Sequence, residues 1–168
     1  MALKRTSANV AISFDLAETV AGTFAQEQID LTLSPLDLEV FVVVAVDLQP
    51  AAPDTVVGGG RSACRATVTK SSQASYQTIA NSNTVATAKR DIVTSATDSP
   101  TSFEHNSQDT PSANLEFVDI ISTNNFFVGL QGQNNTNLMS LTGRLYGYRA
   151  KADAATYAAL VQSEILSQ

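Results

Sequence analysis

The sequence predicts an all-β protein: a single antiparallel β-sandwich or jelly roll of about eight strands, closed by a short C-terminal helix. Three observations carry this expectation. Apolar and polar residues alternate through long stretches, the period of a half-buried strand. Pro, Gly and Asn clusters punctuate those stretches at short intervals. Helical spacing of apolar residues emerges only after residue 152. Many strands without a strong internal helix pack as two sheets around one core. At 168 residues the chain is most simply one domain, 1–168, long enough to bury a sizeable core without disulfides.

Ile29, Leu31 and Leu33 alternate with Gln28, Asp30 and Thr32, and Pro35 ends that strand. Leu36, Leu38, Val40, Val42, Val44, Val46 and Leu48 predict one face of a longer strand over 36–48. Phe41, Val43 and Ala45 make the middle of its other face apolar too, so this strand is expected to be central and covered on both sides. Pro50, Pro53 and the run Gly58-Gly59-Gly60 predict a long loop. Residues 61–70, 75–79 and 84–94 follow as β-branched segments with one polar face. Pro100 and Pro111 mark 94–113 as a second long loop, anchored by Phe103. Three more strands are expected at 115–122, 126–131 and 137–149, separated by Asn-rich turns. Tyr157, Leu160, Val161 and Ile165 then recur at spacings of three to four behind a capping Asp153, which predicts an amphipathic helix over 153–167. So short a helix needs packing for its stability. The brief link at 150–152 points to docking on the chain's own sandwich.

Charged residues make up only 15% of the chain, and the net charge is −6. Between residues 6 and 60 there are eight acidic residues and no Lys or Arg. Such a face repels phosphate, and the pair Lys4-Arg5 is too short to act as a nucleic-acid arm, which argues against direct nucleic-acid binding. Ser7, Asn9, Ser13 and Asp15 break any apolar stretch behind Lys4-Arg5, so no signal peptide is expected. The longest apolar run, 40–46, is far below the roughly 20 residues of a transmembrane segment.

No catalytic constellation, metal set or cofactor motif is present, and the expectation is a protein that is not an enzyme. His105 lies beside Glu104 and near Asp109 in a Pro-flanked segment and reads as a solvated loop histidine; as the sole His, with no nearby Cys, it makes no zinc set. Cys64 is the only cysteine and reads as a small buried strand residue rather than a reactive thiol. Asp37 and Glu39 have the spacing of a carboxylate pair on one strand face, but strand-end acids facing solvent look the same. The Gly58-Gly59-Gly60 run lacks the Lys and Ser/Thr of a phosphate loop. Tyr146 and Tyr148 point the same way on a strand, which suits packing better than a sugar platform.

The stretch from Ser122 to Ser140, STNNFFVGLQGQNNTNLMS, remains. Phe126, Val128 and Leu130 give it an apolar face, and its flanking amides both donate and accept. Uncharged amides lose water at lower cost than charges. Asn124, Asn125, Phe126, Phe127, Gln131, Gln133, Asn134, Asn135 and Asn137 are therefore candidate subunit-interface residues, with an ordinary hairpin bearing polar turns as the alternative. Tyr157, Leu160, Val161 and Ile165 are the candidate helix-docking residues.

An acidic β-rich body, amide-rich loops, a final strand reading GRLYGYRAKAD and a short terminal helix together resemble the small single jelly-roll capsid proteins of tailless icosahedral viruses infecting bacteria and archaea. The resemblance implies a virion coat subunit, assembled in the host cytoplasm, whose partners are copies of itself and other coat proteins. The chain departs from jelly-roll coats that package nucleic acid in having no long basic arm. A β-sandwich binding module for a receptor or glycan is the alternative function that fits the same fold.

Overall fold

A computed structural model describes residues 3–97, 99–106 and 115–166. Ten strands precede one helix: β1 (Leu3–Arg5), β2 (Val10–Ala17), β3 (Ala25–Asp30), β4 (Glu39–Pro50), β5 (Gly60–Thr69), β6 (Thr84–Thr94), β7 (Thr101–Asn106), β8 (Asp119–Ile121), β9 (Asn125–Gln133), β10 (Ser140–Ala152) and α1 (Ala154–Leu166). One sheet has the order β2-β10-β4-β8, and β1 shares the β2 edge of β10; the other runs β3-β9-β5-β6-β7. Every pairing is antiparallel. The chain crosses repeatedly between the sheets, β2 to β3 to β4 to β5 and later β8 to β9 to β10, which is the winding of a jelly roll.

The core lies between the sheets. Phe14, Phe41, Val43, Val46 and Leu48 from the first sheet meet Val68, Phe126, Val128 and Leu130 from the second. Phe14 and Phe126 bridge the two edge to face, with ring centroids 6.1 Å apart. Cys64 is buried here, and burial is the main reason that its thiol is pushed up to about 12. A thiol so hard to ionise behaves as a packing residue.

The central strand β4 departs from its expected register. It begins at Glu39 because Pro35–Asp37 form a 3-10 turn, and that turn leaves Leu36 fully exposed. Across from it, Tyr146 pairs with Ala45 but Gly147 pairs with Val43, so Val44 is an extra residue. This bulge reverses the alternation. Phe41 and Val43 face the core before it and Val46 and Leu48 after it, whereas Val40 and Val42 belong to a second cluster on the outer face. The strand is covered on both sides at Val40–Val43, as its composition predicts, but not by one continuous row.

Other elements differ from expectation too: β1 falls where no strand is expected, and β3 ends at Asp30, so Leu31 and Leu33 are buried beyond the strand rather than within it. β2 lies in a segment with no expected strand, although Val10, Ile12, Phe14 and Leu16 do alternate there. Residues 75–79 form no strand; the surrounding loop is held by side chains, with Asn83 Nδ2 donating to Ser71 Oγ and Asn81 Oδ1 accepting from the Asn83 N–H. The expected loop at 94–113 contains β7, whose backbone pairs with β6 over Ala88–Val93. Asp109 lies outside the described residues.

The helix docks on the outer face of the first sheet. Tyr157 and Leu160 pack, partly buried, against Val40, Val42, Ile120, Ala150 and Ala152. Val161 is half-buried, but Ile165 is 56% exposed. The position that points inward is its neighbour Glu164, a buried carboxylate that accepts from the Ser122 N–H at 2.8 Å and the Thr123 N–H at 3.0 Å. Asp153 caps the helix by accepting from the Thr156 N–H at 2.8 Å.

Candidate subunit interface

The nine interface candidates do not form one surface. Asn124 sits at the end of the sandwich near the β3–β4 link, where its side-chain oxygen accepts from the Leu33 N–H and its carbonyl from the Leu31 N–H. Asn125 opens β9 at the same end. Phe126 is wholly buried in the core, so its ring is committed within this chain. Phe127 and Gln131 lie half-buried on the outer face of the second sheet, opposite Thr69 and Arg65. Gln133, Asn134, Asn135 and Asn137 gather at the far end, around the β9–β10 turn.

That far end is a cluster of three loops: 18–24 between β2 and β3, 51–59 between β4 and β5, and 134–139 between β9 and β10. Their amides and acids bind each other. Glu18 is buried and accepts from the Gly132 N–H at 2.6 Å and the Met139 N–H at 2.9 Å. Asp54 accepts from the Thr136 and Asn137 N–H groups, both at 2.9 Å, and from the Asn137 side-chain amide at 3.1 Å. Asn135 returns the contact: its oxygen accepts from the Asp54 N–H at 2.9 Å and its nitrogen donates to the Ala63 carbonyl at 2.8 Å. Asn134, in the left-handed region at φ 54°, donates to the Arg61 carbonyl. The Gln133 oxygen accepts from the Arg65 guanidinium. The amides of this stretch chiefly satisfy backbone groups in turns, the use that the hairpin alternative describes.

With its polar groups engaged, the cluster presents aliphatic tips. Val57 is 99% exposed, Val20 61% and Leu138 54%. These were not among the candidates, although Val56-Val57 before the glycine run and Leu138 within the amide stretch are visible in sequence. Glu18 and Asp54 are the only charged residues in the three loops, and both carboxylates are held by N–H groups.

His105 lies on β7 opposite Lys89 rather than in a loop. Asp37 and Glu39 do not share a strand face: Asp37 is in the 3-10 turn and accepts from the Ser34 hydroxyl, while Glu39 accepts from the Ser34 N–H and lies 3.5 Å from Arg149. Tyr148 is spent under the Arg5 guanidinium, 4.4 Å from its ring centre. Among the described residues no group of acidic, His and Cys side chains is arranged to hold a metal, and no helix is long and apolar enough to cross a membrane.

Acid should loosen the loop end. Hydrogen bonds from Asn137 hold the Asp54 carboxyl below the usual carboxylate range. Asp91 is also lowered: burial raises it, but hydrogen bonds from Arg61 at 2.6 Å and Lys89 at 2.9 Å outweigh that. A carboxyl with a depressed folded pKa contributes stability that is present above its unfolded value, about 3.9, and is lost as pH falls through the folded value. Thermal melts should therefore be nearly flat from neutrality to about pH 5 and decline below about pH 4. The Asp54→Ala variant should show a smaller acid drop, and an equal drop would remove Asp54 from the account.

The strand order defines the class: a jelly-roll β-sandwich with a helix on the outer face of one sheet. Comparison with known proteins adds little to that class. No family model and no curated protein matches the chain. Among solved structures, a chain of Desmodium yellow mottle tymovirus is 12% identical and aligns with a TM-score of 0.30 over 88% of this chain and 91% of that one. The tailspike protein gp49 from Acinetobacter baumannii bacteriophage Fri1, a capsular polysaccharide depolymerase, is 12% identical, with a TM-score of 0.15 over 76% of this chain and 21% of that one.

Proposed function

We propose that the chain is a non-enzymatic virion coat subunit that assembles with copies of itself, using the loop end built from 18–24, 51–59 and 134–139 as a principal contact. A jelly roll alone hosts many functions, so the fold does not carry this reading. The supporting observation is the character of that end. On a chain of charge −6 it combines three exposed aliphatic tips with no unengaged charge. Copies of an acidic protein repel across most of their surface, but here they can meet without desolvating a free carboxylate. Loops tied together through Glu18, Asp54 and Asn135 also lose little further entropy on association. Of the interface candidates, Gln133, Asn134, Asn135 and Asn137 belong to this contact. Other coat proteins are candidate partners. The site of action is the virion, assembled in the host cytoplasm, and no direct genome contact is proposed.

Light scattering and negative-stain microscopy of the purified chain test the proposal. The wild-type protein should form shells or regular arrays that persist or strengthen as salt screens the repulsion. Assembly driven by nucleic acid would instead weaken steeply with salt. Val57→Asp places a charge on a fully exposed tip and should leave the melting temperature unchanged while abolishing assembly. A wild-type protein that stays monomeric at all concentrations, or a Val57→Asp variant that assembles normally, would overturn the proposal.

A further inference from the structure

The outer face of the first sheet is covered by α1 over one half only. On the open half, β10 lies between β2 and β4 and its register sets three cross-strand rows. Tyr146 stands between Ala11 and Ala45, Arg144 between Ser13 and Asp47, and Thr142 between Asp15 and Gln49. These rows line a concavity of about 460 Å³. It adjoins a second hollow of about 570 Å³ that shares Asp47, Gln49 and Thr142, reaches Ser140 and passes to Arg90 and Glu104 of the second sheet. From Tyr146 to Ser140 the strand advances about 20 Å, at roughly 3.3 Å per residue.

The chemistry of these rows is specific. Tyr146 is 36% exposed, and its two cross-strand neighbours are both alanines, so its ring is open toward β2 and β4 at that row. Arg144 uses its Nε to donate to the Ser13 hydroxyl at 3.2 Å; among the described residues it forms no ion pair with Asp47 opposite, and its terminal N–H groups have no partner there. Among the described residues, Asp47 receives one side-chain contact, a long one from the Gln49 amide at 3.3 Å. A flat aromatic face beside a guanidinium, two carboxylates and an amide, all with spare hydrogen-bonding capacity, matches a ligand with one apolar face and a rim of hydroxyls. With Arg90 and Glu104, paired with each other at 2.9 Å in the second hollow, the two hollows carry three carboxylates against two guanidinium groups, a balance that disfavours an anion.

We propose that this groove binds a neutral oligosaccharide, with a pyranose ring stacked on Tyr146 and its hydroxyls bonded to Arg144, Asp47 and Gln49. The site is complete in one copy of the chain and does not rest on the coat reading. Amide-proton NMR titration of the full chain tests it, with neutral hexasaccharides of α-1,4-glucose, β-1,4-glucose, β-1,3-glucose and β-1,4-mannose as probes and a sulfated oligosaccharide as counter-probe. At least one neutral probe should shift the amides of 11–15, 45–49 and 142–146, with a dissociation constant on the order of 1 mM or tighter. Tyr146→Ala should weaken that binding by about tenfold or more. Ala11→Arg, which fills the space beside the ring, should do the same with an unchanged melting temperature. The proposal is overturned by silence with all four neutral probes, by response to the sulfated probe alone, or by shifts that survive both substitutions.

Discussion

Gly147→Ala is expected to leave the protein unfolded or insoluble. An added Cβ would stand 2.2 Å from the Val42 carbonyl oxygen and 2.4 Å from the Phe41 ring. Neither can move cheaply. Val42 lies two residues before the bulged Val44, and Phe41 is a fully buried core side chain on an inner strand of its sheet. Relief would require either undoing the bulge, which would turn Phe41 and Val43 away from the core, or separating β4 from β10. A loss above about 4 kcal/mol is exceptional for a single substitution and reflects this kind of backbone conflict. Set against a net stability of about 5–15 kcal/mol, it removes much of the fold. Gly58→Ala is the control, because nothing lies within 4 Å of its added Cβ. Its positive φ of 84° should cost only about 1–2 kcal/mol and leave a folded protein. Denaturant titration of the two variants measures the contrast, and equal midpoints would disprove the bulge geometry.

Ending the chain at Ala152 should lower the melting temperature of the dilute monomer sharply. Removing α1 uncovers Val40, Val42 and Ile120, each worth about 1.5–3 kcal/mol when fully buried. It also removes the Glu164 carboxylate from the Ser122 and Thr123 N–H groups, hydrogen bonds to a charged group worth about 1.5–3 kcal/mol net. The total, roughly 5 kcal/mol or more, is comparable to a whole net stability. Glu164→Leu separates the two contributions, since it keeps the apolar contacts and loses only the carboxylate. It should fall between the truncated and intact chains. A truncated chain that melts like the full one would mean that the helix contributes nothing.

Alternation exposes strands well where it is uninterrupted. Residues 84–94 and β6 coincide, and 61–70 and β5 differ by one residue at each end. It misleads where one residue is added: nothing in Val40-Phe41-Val42-Val43-Val44 marks the bulge, because β-branched and aromatic residues suit either face. The glycine at 147 on the partner strand was the available signal. The helix stripe shows a related limit. Glu164 and Ile165 both suit the spacing, and hydrophobicity selects Ile165, yet the buried position goes to Glu164 because two N–H groups at the start of the β8–β9 turn need an acceptor. The same need hid the purpose of the amide stretch. Composition identified Asn134, Asn135 and Asn137 as unusual, but their partners, Arg61, Asp54 and Ala63, are remote in sequence and brought near only by the fold.

The place of β10 has a consequence for synthesis. It is the strand to which β1, β2 and β4 all attach, and it is the last of the ten to be made. Until the ribosome has released residues 140–152, β2 and β4 have no common neighbour: β4 has only the short β8 beside it, and β2, which carries Phe14, has no strand to pair with in its sheet. A product stopped short of Ser140 therefore cannot form the half of the sandwich that β10 organises. Topology alone withholds the finished surface from incomplete chains, so proofreading of chain length is built into the order of the strands.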